Sequence, residues 1–241
     1  MKKVHISIDD CIKCFKELQE KKEQITSIFE VPFFKMLYEL HKKHGLKVTL
    51  YCWSVKSGFK IASLTDKFRE EFEANSSWLK FAFHASAEFD YLSEGNLGRT
   101  TEEFCNTVSD FEKSITRIAG GESLSSTLRL HYYTATPDEM KYLKNLGVSE
   151  LLTSHDNRIS YDLTEKQQKY VEVHGSIEKD SMRYVKSDMC IDMLDNMEKV
   201  RNLLKKERIT LFSHEIYFLR DIEKWEKIIE ILIANEFEFT V

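Results

Sequence analysis

Glycine and proline are scarce, 8 and 2 in 241 residues, which leaves no material for a Gly/Pro-rich linker. No low-complexity tract or composition shift marks a boundary, and no internal repeat is visible. A chain of this length, 42% hydrophobic and 31% charged, is expected to bury one large core as one domain over residues 1–241. No run approaches the roughly 18–20 apolar residues of a membrane-spanning helix. A basic excess is also missing. The formal net charge is -5 with Lys and Glu interspersed, which argues against nucleic acid as the main partner, because phosphate binding needs a concentrated basic face. No G-x-G-x-x-G or G-K-[ST] follows the first strand, so dinucleotide and P-loop readings lose their main support.

The opening MKKVHISIDD reaches paired aspartates too soon for a secretory signal, and a soluble, cytoplasmic protein is expected. Five cysteines at 11, 14, 52, 105 and 190 form an odd set without an export signal, which disfavours a disulfide framework. Cys11-x-x-Cys14 has no second C-x-x-C to complete a zinc site and reads as a pair of helix-packing thiols.

What is present is an alternation of short β-branched and aromatic runs with longer stretches of helical period. Seven strands are predicted: VHISI (4–8), KVTLYC (47–52), LKFAFH (79–84), TLRLHY (127–132), ELLTS (150–154), YVEVH (170–174) and ITLFSH (209–214). Helices are predicted in VPFFKMLYELHKKHG, TEEFCNTVSDFEKSITRIAGG, TPDEMKYLKNLG and DIEKWEKIIEILIANE, with Pro near the start and Gly past the end of the first as boundary signals. An α/β fold with seven strands and helical crossovers in 241 residues fits a closed barrel better than an open doubly wound sheet.

In such folds the binding site forms where the C-terminal ends of the strands meet their loops. His84, His131, His155, His174 and His214 all fall at or just past predicted strand ends, and Asp9 and Asp10 fall at the same end of the first strand. Two adjacent carboxylates repel unless a cation compensates. The bland alternative is that one of them caps the helix that starts at CIKCFKEL. His84 and Glu88, four residues apart, would share a helix face and could grip one borderline ion such as zinc, which accepts imidazole and carboxylate together. Trp53, Tyr91, Tyr132, Tyr133 and Tyr217 lie near strand ends, where aromatic rings could stack on a sugar.

The ISIDD strand end, His84, the TLRLHY strand and the late LFSHE segment resemble, in order, the motifs of the polysaccharide deacetylase family, also called NodB-like or carbohydrate esterase family 4. The resemblance runs from residue 6 to about 215 and rests on order and placement more than on any one string. It implies a deformed seven-stranded (β/α) barrel and a divalent metal, commonly zinc, used to remove acetyl groups from sugars. Asp9 matches the family's general base and Asp10 a metal ligand. His84 matches the first His of the metal-binding H-x-x-x-H, whose second His is Glu88 here. Arg129 matches the Arg of R-x-P-x-G, which orients the base, although the Pro and Gly are missing. His214 matches the histidine that protonates the leaving group. His131, Tyr132 and His155 are the candidate substrate contacts, without secure counterparts in the motifs. The expected substrate is an intracellular acetylated sugar or related small molecule. The rivals are hydrolysis of another bond, such as a phosphoester, and a non-catalytic carbohydrate-binding barrel that has lost its metal.

Overall fold

The computed structural model describes residues 1–86, 91–93, 96–156 and 158–241. Seven parallel strands run in ring order: β1 (Lys2–Cys11), β2 (Val48–Trp53), β3 (Leu79–Ala85), β4 (Thr127–Leu128), β5 (Glu150–Thr153), β6 (Met182–Lys186) and β7 (Arg208–His214). They form two sheets. One joins β7, β1, β2 and β3, and the other joins β6, β5 and β4. The seams are thin. An isolated Phe81–Leu124 bridge links β3 towards β4, and the two-residue strand Met189–Cys190 pairs with β7 after β6 ends. This interrupted circuit is the deformed seven-stranded (β/α) barrel expected from the sequence.

The main helices are α1 (Lys13–Lys21), α2 (Pro32–His44), α3 (Thr101–Ala119), α4 (Pro137–Asn145), α5 (Glu165–His174) and α6 (Ile222–Ala234), of which α2, α3, α4 and α6 are the four anticipated from period and caps. In α2, Pro32 opens the helix and Gly45 closes it at φ +69°, a left-handed position that glycine takes without a Cβ clash. Its buried Phe33, Phe34, Leu37 and Leu40 each contribute about 1.5–3 kcal/mol, Phe34 packing on Phe15 and Phe72 and Phe33 on Phe218. Among the described residues no helix is long and apolar enough to cross a membrane. All five cysteines are free thiols.

One predicted strand is wrong. YVEVH lies in α5, where Thr164 and Gln167 make a capping box and Gly175 ends the helix with φ +83°. Its β-branched residues mimic a strand, but only Val171 among the five is buried, as expected of a surface helix rather than a barrel strand. The sixth strand is Met182–Lys186, paired with β5 in parallel and with Ser176–Lys179 in an antiparallel hairpin. His174 therefore sits at a helix end beside Tyr170, away from the strand ends.

The barrel interior is polar. Along β1, Val4, Ile6 and Ile8 alternate with His5, Ser7 and Asp9, all of them buried. Burial in this interior, with the charges of Arg129 and Arg208 nearby, holds His5 down from 6.5 to about 3. Because the folded pKa lies below the unfolded one, the unfolded chain takes the proton first, and stability is lost as the pH falls from about 6.5 towards 3. His5→Gln should remove roughly 2 kcal/mol of the loss between pH 6 and 4.5. Urea unfolding at several pH values reads this directly, and an unchanged pH slope would exclude His5 as a source of acid sensitivity.

Candidate active site

Consecutive strand residues point to opposite faces, so a regular β1 could present only one of its two aspartates to the barrel mouth. The register between β1 and β2 slips between Ile8 and Cys11, and Asp10 takes φ +63°. Such a bulge re-aims a side chain, and Asp tolerates the left-handed conformation better than most residues. Asp9 thereby faces the barrel interior, and Asp10 turns towards β2 and β3. A second slip, between Cys52–Phe83 and Trp53–Ala85, falls at His84.

Neither aspartate caps the following helix. The N-terminal N–H groups there are taken by Glu215, whose carboxylate accepts from Ile12 (3.2 Å), Lys13 (2.9 Å) and Cys14 (2.6 Å). A buried carboxylate on a helix N-terminus satisfies donors that would otherwise be orphaned, and it leaves Asp9 and Asp10 to the site.

Asp9 is held by Arg129. The guanidinium is buried, donates to both Asp9 oxygens at 2.9 and 3.1 Å, and also reaches Ser7 Oγ (3.0 Å) and Ser187 Oγ (2.9 Å). It lies over the Phe212 and Tyr51 rings. Its partners come from β1, β2, β7 and the end of β6, so it fills the barrel centre below the mouth.

Asp10 belongs to a different cluster. Its Oδ1 accepts from Trp53 Nε1 at 2.8 Å and lies 3.4 Å from His84 Nε2 and 3.9 Å from His131 Nδ1, while His131 Nδ1 and His84 Nε2 are 3.2 Å apart. His84 Nδ1 faces the Arg129 carbonyl oxygen at 2.6 Å. A carbonyl can only accept, so Nδ1 carries a hydrogen and Nε2 is the ring atom turned towards the cluster. Burial and then the neighbouring His84 push His131 down to about 3, so its imidazole is neutral at pH 7. Burial alone would raise Asp10, but the His84 ring and the Trp53 N–H outweigh it and hold the carboxyl well below the usual carboxylate range.

These three donor atoms fit a metal. Ligands at the usual 2.0–2.1 Å from a tetrahedral zinc are about 3.3 Å apart, close to the 3.4, 3.9 and 3.2 Å seen here. The Nδ1–H to carbonyl bond of His84 is the outer contact that orients such a ligand. His131 is placed by strained backbone: Tyr132 and Tyr133, which follow it, both have positive φ, an uncommon state for aromatic residues. Glu88, the expected third ligand, lies outside the described residues.

His214 completes the mouth. In the β1–β7 ladder it sits opposite Asp9. Its backbone N–H and its ring Nδ1 both meet Asp192 Oδ2, at 3.0 and 2.6 Å. Burial would lower His214, but the Asp192 carboxylate and Cys190, with Asp9 and Asp10 further off, lift it to about 11, so the ring is cationic at neutral pH. Asp192 was missed in the sequence because it follows a two-residue strand, Met189–Cys190, too short to leave a period. The C-x-D spacing before the last strand was its one signal.

A cavity of about 500 Å³ connects these groups, lined by Asp9, His84, Arg129, His131, Asp192 and His214, with Tyr132, Tyr133, His155, Arg158 and Tyr217 around it. Tyr132 and Tyr217 are 42% and 39% exposed at the mouth, packed edge-on against His131 and His214 respectively. Trp53, another stacking candidate, is buried and engaged with Asp10 and Lys56. His155 packs on Phe212, and among the described residues its Nδ1 has no hydrogen-bond partner.

No protein-family model matches the sequence, and no curated protein matches it either. Solved structures do. The chain is 14% identical to a peptidoglycan N-acetylglucosamine deacetylase, over 99% of this chain and 85% of that one, with a TM-score of 0.55. A family 4 carbohydrate esterase from Streptomyces lividans, solved in complex with acetate, matches at 10% identity over 100% and 92% of the two chains, with a TM-score of 0.51. A 4-alpha-glucanotransferase from Thermococcus litoralis matches at 12% identity over all of this chain but 40% of its own, with a TM-score of 0.53. The fold is that of the polysaccharide deacetylase, NodB-like barrels, as the sequence motifs suggested. Because a glucanotransferase shares it, the site must carry the functional argument.

Proposed function

We propose that the chain is a metal-dependent deacetylase acting on an acetylated carbohydrate or related small molecule. The observation that carries this reading is one mouth holding an Arg-paired carboxylate, an Asp-His-His donor triad and an Asp-paired cationic histidine. Deacetylation needs a base, an electrophilic centre and an acid, and these three groups supply residues for each.

Asp10, His84 and His131 would hold the ion, with His131 in the place the sequence assigns to Glu88. A divalent ion such as zinc, when bound there, supplies Lewis acidity towards a carbonyl oxygen. Arg129 fixes the aim of Asp9 through a two-oxygen contact. Asp9 accepts the proton of the attacking water. His214, charged through Asp192, gives its Nε2 proton to the departing amine or hydroxyl oxygen, so that the leaving group departs neutral. Tyr132 and Tyr217 offer ring faces to a sugar, and a cavity near 500 Å³ is within the usual range for small-molecule sites.

Metal analysis tests the donor set. After a chelator wash, wild type and Glu88→Ala should retain about one zinc per chain, while Asp10→Ala, His84→Ala and His131→Ala should each bind zinc at least 10-fold more weakly. Retention by His131→Ala with loss by Glu88→Ala would return the third position to Glu88. Turnover of acetylated amino sugars, set beside phosphoesters, tests the reaction. Glycan binding with neither metal nor turnover would favour the non-catalytic barrel.

A further inference from the structure

A second group of donors lies on the same cavity. Cys190 Sγ is 3.6 Å from Asp192 Oδ2, which is 2.6 Å from His214 Nδ1, and the three ligand atoms all lie within 4.8 Å of one another. Deacetylation as derived above uses Asp192 and His214 but gives Cys190 no task. A thiol on the strand beside β7, aimed at the carboxylate that orients the acid, adds a soft ligand to a borderline imidazole and a hard carboxylate. That combination selects zinc-like ions over magnesium or calcium.

We propose that Cys190, Asp192 and His214 form a second, inhibitory site for a thiophilic divalent cation, zinc above all. One donor pair already stands at ligand spacing, and the Asp192–His214 pair, hydrogen-bonded at 2.6 Å, opens to about 3.4 Å when the ion replaces the shared proton. With sulfur at about 2.3 Å and oxygen at about 2.1 Å from a tetrahedral ion, the two ligands are about 3.6 Å apart, matching the Cys190–Asp192 separation of 3.6 Å. The charges also balance, since a thiolate and a carboxylate together neutralise a dication and leave the imidazole neutral. Cys190 is buried, whereas His214 is 35% exposed towards the cavity, which gives the ion an entry path and a water for its fourth position.

Binding releases the Cys190 thiol proton and the Nδ1 proton of His214 to the buffer, because both positions become ligands. His214 then keeps only its Nε2 proton, as a neutral ring that is a far weaker acid than the imidazolium. The inhibitory consequence rests on the proposed role of His214; the site itself does not.

Cobalt(II) titration separates the two. A thiolate ligand gives a sulfur-to-cobalt charge-transfer band in the near ultraviolet, which the Asp10–His84–His131 set cannot give. The wild-type protein should develop this band, and Cys190→Ser and Asp192→Asn should lose or weaken it at least 10-fold, whereas His84→Ala should keep it. In turnover assays, zinc beyond one equivalent should inhibit the wild type at least 10-fold and Cys190→Ser much less, each relative to its own uninhibited rate. A saturated wild type without the band, or a band undiminished in Cys190→Ser, would overturn the site. A protein that shows the band but no turnover would sink the deacetylase reading and leave the site standing.

Discussion

Asp9→Asn should lower kcat by about 10³, within the range that general-base removal costs, and leave zinc content unchanged. The substitution keeps the shape, and the amide oxygen can still accept from Arg129, whose contacts at 2.9 and 3.1 Å fix the side chain. What it removes is the capacity to take a proton. Steady-state kinetics on acetylated substrate, run well below the unfolding temperature with zinc measured on the same sample, checks both halves. A loss under 10-fold at full zinc occupancy would exclude Asp9 as the base. Loss of zinc along with activity would instead move Asp9 among the metal ligands, a group that here comprises Asp10, His84 and His131.

The paired aspartates show how far the sequence could be read. ISIDD located the strand, its end and the mouth, because an apolar run closing on carboxylates is costly unless they are used. It could not say that two consecutive residues would both serve the site, since that depends on a bulge and a positive φ at Asp10, set by pairing with a strand some 40 residues away. His214 was legible for the same reason as Asp9, standing at the end of a run with strand character, whereas Arg129 lies inside its run, TLRLHY, and was picked out by the family motif alone. His131 was seen as a strand-end histidine, but its approach to Asp10 and His84 depends on the turn after a strand only two residues long. Asp192 and the capping role of Glu215 were out of reach, because each acts on a residue more than 20 positions away. The false strand YVEVH has the mirror-image cause. Its residue types favour a strand, while the capping box and Gly175 that make it a helix lie outside the five residues.

Arg129→Met should destabilise the fold by about 3–5 kcal/mol, the range for removing one partner of a buried ion pair. The deletion strands the Asp9 carboxylate and also leaves Ser7 and Ser187 without their shared donor. Most of the loss should come from the unpaired charge, not from lost packing, since Met fills much of the same volume between Tyr51 and Phe212. A double-mutant cycle separates these contributions. If the charge dominates, adding Asp9→Asn to Arg129→Met should restore at least half of the lost stability in urea unfolding, even though Asp9→Asn alone is destabilising because it leaves Arg129 unneutralised. Additive losses would mean that Arg129 acts as a packing element. The rescued double variant should stay inactive, because stability returns while the base does not.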